Sequence, residues 1–217
     1  MRKAVRAEEA AALIPDGAVL MIGGFMAVGT PQRLIDELIR QGKGGFTVIA
    51  NDTARPGVGI GKLIVERRCT KVIVSHIGTN PETQKQMIAG ELEVELVPQG
   101  TLAERVRAGG YGLGGVLTAT GIGTIAAEGK QIVEVDGKPF LLERPLRADF
   151  ALIMAKEADY YGNLSYSLTA HNFNPLMAMA GECVIAEPDS IVPVGMIPPD
   201  RVNTPGVLVH HLVQRSA

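Results

Sequence analysis

The chain has 217 residues, of which 46% are hydrophobic and 20% are charged, and its formal net charge is -2. These values predict one globular domain with a large apolar core, and they argue against a disordered chain. The near-neutral charge and the lack of tryptophan, with five Phe and four Tyr residues, argue against nucleic acid as a partner.

The cysteines and the apolar runs indicate the cellular setting. Cys69 and Cys183 lie far apart in the chain, which fits neither a disulfide framework nor a metal-ligand spacing. Glu8 and Glu9 precede any long apolar run, so the first residues do not resemble a secretory signal. Because no stretch approaches the ~20 apolar residues of a membrane span, we expect a cytoplasmic protein with no metal and no membrane contact.

Short apolar runs alternate with helix-like segments from the start of the chain. Helices are predicted to begin at the cap-and-proline pairs Thr30-Pro31 and Asn80-Pro81, and at a capping box from Thr101 to Glu104. Buried strands are predicted at residues 18–22, 46–50, 71–75 and 93–97. This alternation predicts an α/β fold with a mostly parallel sheet and helices on both faces.

The alternation is interrupted after residue 108, where the third of these helices is expected to end. Five of the seven residues 109–115 are glycine, which predicts an irregular and flexible connection. Residues 132–135 and 140–142 flank Asp136-Gly137, a pattern typical of a β-hairpin with a type I′ turn. Pro139 lacks a backbone N–H group, so it is expected to place the second arm at a sheet edge.

We interpret this hairpin as a small insertion near residues 131–142 within a single domain of residues 1–217. The α/β pattern then resumes, because apolar runs and a proline-initiated helix follow one another again. These later segments are residues 150–154, 175–181, 183–186 and 207–209.

Polar or glycine-rich residues follow each of the first four predicted strands. The loop Gly23–Gly29 follows the first strand, Asn51 and Asp52 the second, His76 the third and Gln99 the fourth. Since the carboxyl ends of parallel strands meet at one edge of the sheet, these residues are expected to line one shared cleft.

Each group in this cleft has two readings from the sequence alone. The Gly23–Gly29 loop leads to a helix N-terminus that would favour an anion, although a glycine pair also closes many buried strands. Asn51 and Gln99 can donate to a carboxylate or an oxyanion, but the same residue types also cap helices and turns. Asp52 could hold a ribose hydroxyl, and an Asx-turn acceptor is the expected role.

No nucleophile or metal site is evident in the sequence. His76 could act as a base at its strand end, whereas a structural role is expected for His171, His210 and His211. The loop glycines match neither the dinucleotide nor the P-loop fingerprint. A mixed-sign group is expected to form a surface or interface ion-pair network: Glu143, Arg144, Arg147 and Asp149.

Motifs along nearly the whole chain resemble the alpha subunits of family I CoA-transferases, closest to the bacterial acetate/acetoacetate enzymes. The first is DGAVLMIGGF at residues 16–25, followed by Gly29 and Pro31. His171 differs, because relatives usually carry arginine there. The other matching segments are residues 50–53, 75–83, 97–102, 105–115, 142–149 and 172–175.

The resemblance implies that this chain is half of an enzyme. The family's nucleophile is a glutamate in a Ser-Glu-Asn-Gly motif of the beta subunit, a motif that Glu182 does not match, so no catalytic nucleophile is expected in this chain. Ping-pong transfer through a glutamyl-CoA thioester is implied, between an acyl-CoA and a short-chain carboxylate. Coenzyme A is then a co-substrate, no cofactor is tightly bound, and assemblies such as α2β2 or α4β4 with the beta subunit are expected.

The resemblance also implies roles for residues of the cleft. Asn51 and Gln99 are expected to support binding of the oxyanion or the carboxylate. The family's signature loop is associated with coenzyme A and consists here of Gly23, Gly24, Phe25, Met26, Ala27, Val28 and Gly29. Two alternatives stay open: a self-sufficient isomerase resembling those that act on phosphosugars, and a non-catalytic CoA-binding module.

Overall fold

A computed structural model describes residues 4–214 of the chain. The predicted domain of residues 1–217 therefore extends beyond the described range at both ends. Residues 1–3, where a secretory signal would begin, also lie outside that range. The helices are α1 Ala7–Ala12, α2 Gln32–Arg40, α3 Ile60–Val65, α4 Pro81–Ile88, α5 Gln99–Gly110 and α6 Asn174–Ala180. The strands are β1 Ala4–Val5, β2 Val19–Ile22, β3 Phe46–Ile49, β4 Cys69–Val74, β5 Glu93–Leu96, β6 Val116–Thr118, β7 Ile132–Val135, β8 Lys138–Glu143, β9 Ala148–Asp159, β10 Leu164–Ser165, β11 Gly181–Val192 and β12 His211–Val213.

The main sheet confirms the predicted α/β architecture. Within residues 4–214 its strands lie in the order β1-β12-β11-β9-β2-β3-β4-β5, and every neighbouring pair in that order is parallel. The short β10 pairs antiparallel with β9. Because β2, β3, β4 and β5 are consecutive neighbours with the same direction, the residues that follow them emerge at one edge of the sheet.

Helices cover both faces of this sheet, as the sequence pattern predicts. Side chains alternate along β2: Leu20 lies in the core layer under α1, α2 and α3, whereas Met21 lies in the layer under α5 and α6. Both side chains are fully buried. Burying an apolar side chain of this size stabilises the fold by about 1.5–3 kcal/mol, so the two layers hold the strand ends in fixed positions.

Two of the three predicted helix starts are wrong. Helix α2 begins at Gln32 with Pro31 as its N-cap residue, so Thr30 is not the cap. Helix α5 begins at Gln99 rather than at Thr101, with Pro98 in the cap position. The prediction at Asn80 is confirmed, because the Asn80 side chain accepts the backbone N–H group of Thr83 at 3.3 Å.

The predicted flexible connection at residues 109–115 is wrong over its first two residues. Gly109 and Gly110 continue helix α5. A side chain at Gly109 would place its Cβ 1.8 Å from the carbonyl oxygen of Leu146, and one at Gly110 would lie 2.6 Å from Met179 Cβ. Glycine at these positions therefore permits close approach of neighbouring backbone, and helix α5 ends two residues later than expected.

The predicted hairpin is present and belongs to a three-stranded antiparallel sheet in the order β6-β8-β7. Asp136 and Gly137 have φ values of 51° and 71°, which is the backbone of a type I′ turn. Strand β8 is central in this sheet, so the predicted edge position of the second arm is wrong. Pro139 is accommodated because β6 pairs only with residues 141–143 of β8.

The predicted mixed-sign network is wrong in its pairing. Glu143 is buried and accepts a hydrogen bond from Lys130 Nζ at 2.6 Å, while Arg105 Nε lies 3.9 Å from it. Asp149 accepts the backbone N–H group of Val19 at 2.8 Å. The acidic members of the predicted cluster thus have partners from other parts of the chain, and Glu143 ties the small sheet to helix α5.

Candidate functional site

The carboxyl ends of β2, β3, β4 and β5 meet around a cavity of about 370 Å³. The structure therefore brings together the residues that the sequence places after the first four strands. Helix α5 starts at this edge, which carries Gln99 to the cavity although the sequence puts it before the helix. The lining residues are Phe25, Met26, Asn51, Asp52, Ser75, His76 and Gln99.

A chain of hydrogen bonds runs from the buried wall of this cavity to its exposed rim. The Asn51 side chain donates from Nδ2 to Asp52 Oδ2 at 2.7 Å. Its Oδ1 atom accepts a hydrogen bond from Gln99 Nε2 at 2.6 Å. Asn51 and Asp52 are buried and Gln99 is exposed, so the chain connects a buried carboxylate to an amide that faces solvent.

The Asp52 carboxylate determines the direction of both hydrogen bonds in this series, from Asn51 to Asp52 and from Gln99 to Asn51. An ionised Asp52 can only accept hydrogen bonds, so Asn51 must turn its NH₂ group toward it and its oxygen toward Gln99. Gln99 must then use Nε2 in that contact. One N–H bond and the oxygen of the Gln99 amide remain for a ligand in the cavity.

Ser75 is a member of this site that sequence reasoning missed. Its hydroxyl donates to the backbone oxygen of Asn51 at 2.6 Å and lies on the cavity wall. The predicted third strand included Ser75, whereas β4 ends at Val74. The available signal was its place as the first polar residue after a buried apolar run, directly before His76.

The tip of the Gly23–Gly29 loop forms a strained turn beside the cavity. Backbone hydrogen bonds of 3.0 and 2.9 Å join Phe25 and Val28, and the intervening Met26 and Ala27 have φ values of 50° and 71°. Two non-glycine residues in this conformation cost about 1–3 kcal/mol each. Asp52 Oδ2 holds the turn by accepting the Met26 N–H group at 2.9 Å.

Close packing requires glycine at two positions of this loop, Gly23 and Gly24. A Cβ atom at Gly23 would lie 1.8 Å from Asn174 Oδ1, and one at Gly24 would lie 1.9 Å from Thr30 Oγ1. Gly24 and Gly29 also have φ values of 124° and 78°, a region that favours glycine. The loop therefore lies tightly against neighbouring polar side chains, and its exposed part is the apolar tip at residues 25–28.

The predicted anion position at the start of α2 is filled by the protein itself. Glu187 of β11 accepts the backbone N–H groups of Arg33 and Leu34 at 3.1 and 2.8 Å. Burial raises the pKa of this carboxyl above its ordinary value, although the hydrogen bonds and Arg33 oppose that shift. Glu187 therefore occupies the N–H groups of Arg33 and Leu34, which are not free to bind a ligand.

The described histidines differ in their surroundings. His76 is exposed and lines the cavity. His171 packs edge-on against Tyr166 with ring centroids 5.3 Å apart, and His210 Nδ1 accepts the backbone N–H group of Val184 at 3.0 Å. His171 and His210 thus contact other parts of the chain, and neither lines the 370 Å³ cavity.

Metal-binding clusters and membrane-spanning helices are absent from residues 4–214. No group of three or more His, Cys, Asp or Glu side chains there could hold a metal ion. No helix in the same range has the length and apolar character needed to cross a membrane.

Comparisons with known proteins identify the family of this chain. The family model described as Coenzyme A transferase matches residues 4–215. The acetate CoA-transferase subunit alpha of Escherichia coli strain K12 is 54% identical over 211 residues, which cover 97% of this chain and 96% of that protein. The alpha subunit of the acetoacetyl-CoA:acetate/butyrate CoA transferase of Clostridium acetobutylicum is 48% identical, with 99% of both chains covered.

Solved structures show the same fold. An acyl-CoA transferase from Escherichia coli O157:H7, solved as a thioester complex with CoA, superposes with a TM-score of 0.88 at 23% identity. The superposition covers 99% of this chain and 47% of that one, so this chain spans about half of that protein. On the family-model match and the identity to the two alpha subunits, the chain belongs to the coenzyme A transferase family and is an alpha subunit of it.

Proposed function

We propose that this chain, together with a beta subunit, moves coenzyme A between a short-chain acyl-CoA and a carboxylate. The observation that carries the proposal is a cavity lined by the amides of Asn51 and Gln99, in which the carboxylate of Asp52 is held by three hydrogen bonds. The named activities of the two similar alpha subunits point to acetate, acetoacetate or butyrate as the carboxylate.

The chemistry follows the ping-pong scheme of the family. A glutamate of the beta subunit attacks the acyl-CoA carbonyl, which releases CoA thiolate and leaves an acyl-glutamyl anhydride. The thiolate attacks the glutamyl carbonyl, so the first acid departs and a glutamyl-CoA thioester remains. The acceptor carboxylate attacks that thioester, and the released thiolate then attacks the acceptor's acyl carbonyl, which regenerates the glutamate and gives the new acyl-CoA.

In this scheme Gln99 and Asn51 supply neutral hydrogen-bond donors, and Asn51 does so with the one N–H bond that it does not donate to Asp52. Each step passes through a tetrahedral oxyanion, and a fixed neutral donor aimed at it is worth about 2.7–4 kcal/mol in comparable sites. Gln99 keeps one N–H bond free after its contact with Asn51. The exposed tip of the Gly23–Gly29 loop borders the same cavity, which supports contact with coenzyme A by way of Phe25 and Met26.

The isomerase alternative is less well supported by the cavity. An isomerase acting on phosphosugars needs a free carboxylate base and a cationic side chain for the phosphate. Among the residues that the structure describes, no Lys or Arg lines the 370 Å³ cavity. Its one carboxylate, Asp52, accepts hydrogen bonds from Asn51, Met26 and Ala54 and is buried.

A reconstitution experiment tests the proposal and separates the alternatives. The chain is expressed alone and together with a candidate beta subunit, and each preparation is assayed with acetyl-CoA plus acetoacetate or butyrate. Activity only in the mixture, lost when the partner's glutamate is changed to alanine, is the expected result. Transfer by the chain alone would contradict the half-enzyme proposal, and CoA binding without any transfer in the mixture would favour the non-catalytic module.

Mass measurement of the active mixture determines the assembly. We propose equal numbers of the two subunits, in an assembly such as α2β2 or α4β4, because each site is proposed to need one chain of each kind. A cytoplasmic location fits the coenzyme A substrate and is tested by fractionation of the source cells.

A further inference from the structure

We propose that Asp52 is a positioning residue that determines which group Gln99 presents to the cavity and that holds the loop tip beside it. The inference rests on the proposed roles of Asn51 and Gln99. Asp52 is 4% exposed and lies at the carboxyl end of β3. Its two oxygens accept three hydrogen bonds, two from its own loop and one from Met26 of the Gly23–Gly29 loop.

The two oxygens of Asp52 have separate tasks. Oδ1 accepts the N–H group of Ala54 at 2.7 Å, which is a local Asx turn of the kind that many loops contain. Oδ2 accepts both Met26 N–H at 2.9 Å and Asn51 Nδ2 at 2.7 Å. The local turn therefore explains only one oxygen, and the other joins the loop tip to the amide chain.

An amide at position 52 cannot reproduce this arrangement. Asparagine has one acceptor oxygen, so one side of the group would present NH₂ either to the Ala54 N–H or to the Met26 N–H. If the NH₂ group faces Met26, the Asn51 NH₂ group would meet another donor. The Asn51 amide would then rotate so that its oxygen faces position 52. Gln99 would then meet an NH₂ group instead of an oxygen and would turn its oxygen inward, toward Asn51.

This reversal changes what a substrate meets in the cavity. With Asp52 present, Gln99 keeps a single N–H bond and its oxygen for the ligand, in an orientation fixed by a contact of 2.6 Å. With asparagine at position 52 the charge is lost in either orientation, so the orientation of the Gln99 amide is no longer imposed by a carboxylate. A donor that is fixed in advance lowers the barrier because it needs no reorganisation during the reaction, so the loss falls mainly on kcat.

The loop tip depends on the same carboxylate. Met26 and Ala27 hold left-handed backbone at φ 50° and 71°, and strained backbone persists only where neighbouring groups determine it. Asp52 supplies the hydrogen bond to the Met26 N–H, and Thr79 Oγ1 contacts Met26 Sδ at 3.4 Å. Loss of the carboxylate is therefore expected to release the tip and to raise KM for the CoA substrate.

Asp159 provides a matched control. It is 3% exposed and, like Asp52, accepts three hydrogen bonds, from Tyr161 N, Asn163 N and Asn163 Nδ2 at 2.8–3.0 Å. It does not line the 370 Å³ cavity. Asp159→Asn thus makes the same chemical change in a buried turn without touching the amide chain.

The test compares Asp52→Asn and Asp159→Asn in the reconstituted complex with the beta subunit. We expect both variants to lower the melting temperature by a similar amount. Asp52→Asn is expected to lower kcat at least tenfold, with a smaller rise in KM, whereas Asp159→Asn keeps both within about twofold. An Asp52→Asn enzyme with kcat within twofold of the parent, or an equal loss in Asp159→Asn, overturns the inference.

A double-mutant cycle shows whether Asp52 acts through Gln99. If it does, Asp52→Asn has a smaller effect on kcat in the Gln99→Ala background than in the parent. If the effects of Asp52→Asn and Gln99→Ala on kcat are fully additive, Asp52 does not act through Gln99. If Gln99→Ala and Asn51→Ala both leave turnover unchanged, the proposed donor roles fail; if they reduce turnover and Asp52→Asn does not, only the inference about Asp52 fails.

Discussion

Glu187 of β11 accepts the backbone N–H group of Leu34 at 2.8 Å and that of Arg33 at 3.1 Å. These residues are more than 150 positions apart in the chain, yet the carboxylate does the work of an N-cap side chain for helix α2. The Arg33 guanidinium also lies 3.2 Å from it. The helix that follows the signature loop is thereby fixed to the centre of the sheet.

Replacement of Glu187 by alanine should therefore destabilise the protein. Loss of a cap of this kind costs about 0.5–2 kcal/mol of unfolding free energy, and the unpaired Arg33 adds to that cost. Asp189→Ala on the same strand is the control, because its pair with Lys156 is 3.4 Å long and about half exposed, which makes it worth about 0–1 kcal/mol. Urea unfolding measures both; equal values for the two variants would contradict the capping role.

The same carboxyl predicts a pH dependence. Burial raises the pKa of Glu187 in the folded state above its ordinary value of 4.5. The folded state then binds the proton more tightly than the unfolded state, so this contribution to stability is complete below pH 4.5 and is lost as the pH rises through the folded-state pKa. Urea unfolding from pH 4 to 7 should show this fall for the parent and not for Glu187→Gln; parallel profiles would contradict it.

This cap also shows where sequence reasoning succeeds and where it stops. The Asn80 cap could be predicted because donor and acceptor lie three residues apart. The start of α2 could not, because its cap comes from Glu187. Helix α5 begins before Thr101, with Pro98 in the cap position. Thr101 is therefore not the cap, and within residues 4–214 its buried hydroxyl has no hydrogen-bond partner.

The candidate site, like the helix caps, could be predicted from the sequence only in part. The parallel sheet that the α/β alternation predicts is enough to bring Asn51 and Gln99 to one edge of the sheet. The direction of their hydrogen bond depends on the carboxylate of Asp52, and that dependence is visible only when the three side chains are placed together. Sequence pattern therefore locates the cavity, whereas tertiary geometry determines which atoms face a ligand.

Removal of the Gln99 side chain tests its proposed role directly. Gln99→Ala should lower kcat/KM by more than about tenfold, because a neutral donor to the oxyanion is lost. The complex with the beta subunit should still assemble, since the Gln99 side chain is exposed and its bond to Asn51 lies within the cavity wall. Gln41→Ala at the end of α2 is the control for loss of a glutamine, and turnover of Gln99→Ala at the parent rate would remove this residue from the site.

The close packing of Gly24 predicts a large effect of a single methyl group. Gly24→Ala combines a φ of 124° with a Cβ placed 1.9 Å from Thr30 Oγ1. We expect a loss of about 2–5 kcal/mol, the sum of backbone strain and overpacking. Gly17→Ala separates the two causes, because Gly17 also has a positive φ of 78° but has no atom within 4 Å of the added Cβ. Similar unfolding free energies for the two variants would show that the contact with Thr30 yields freely.

Relief of strain at the loop tip should separate stability from activity. Ala27 has a φ of 71° next to the cavity, and Asp136 has a φ of 51° in the distant hairpin turn. Glycine accepts such backbone without strain, so Ala27→Gly and Asp136→Gly should each stabilise the protein or leave it unchanged, within about 1 kcal/mol. Only Ala27→Gly should raise KM for the CoA substrate, because it loosens the turn that borders the cavity. Thermal unfolding and steady-state kinetics of the complex measure the two effects, and an unchanged KM in Ala27→Gly would show that the rigidity of the tip does not contribute to binding.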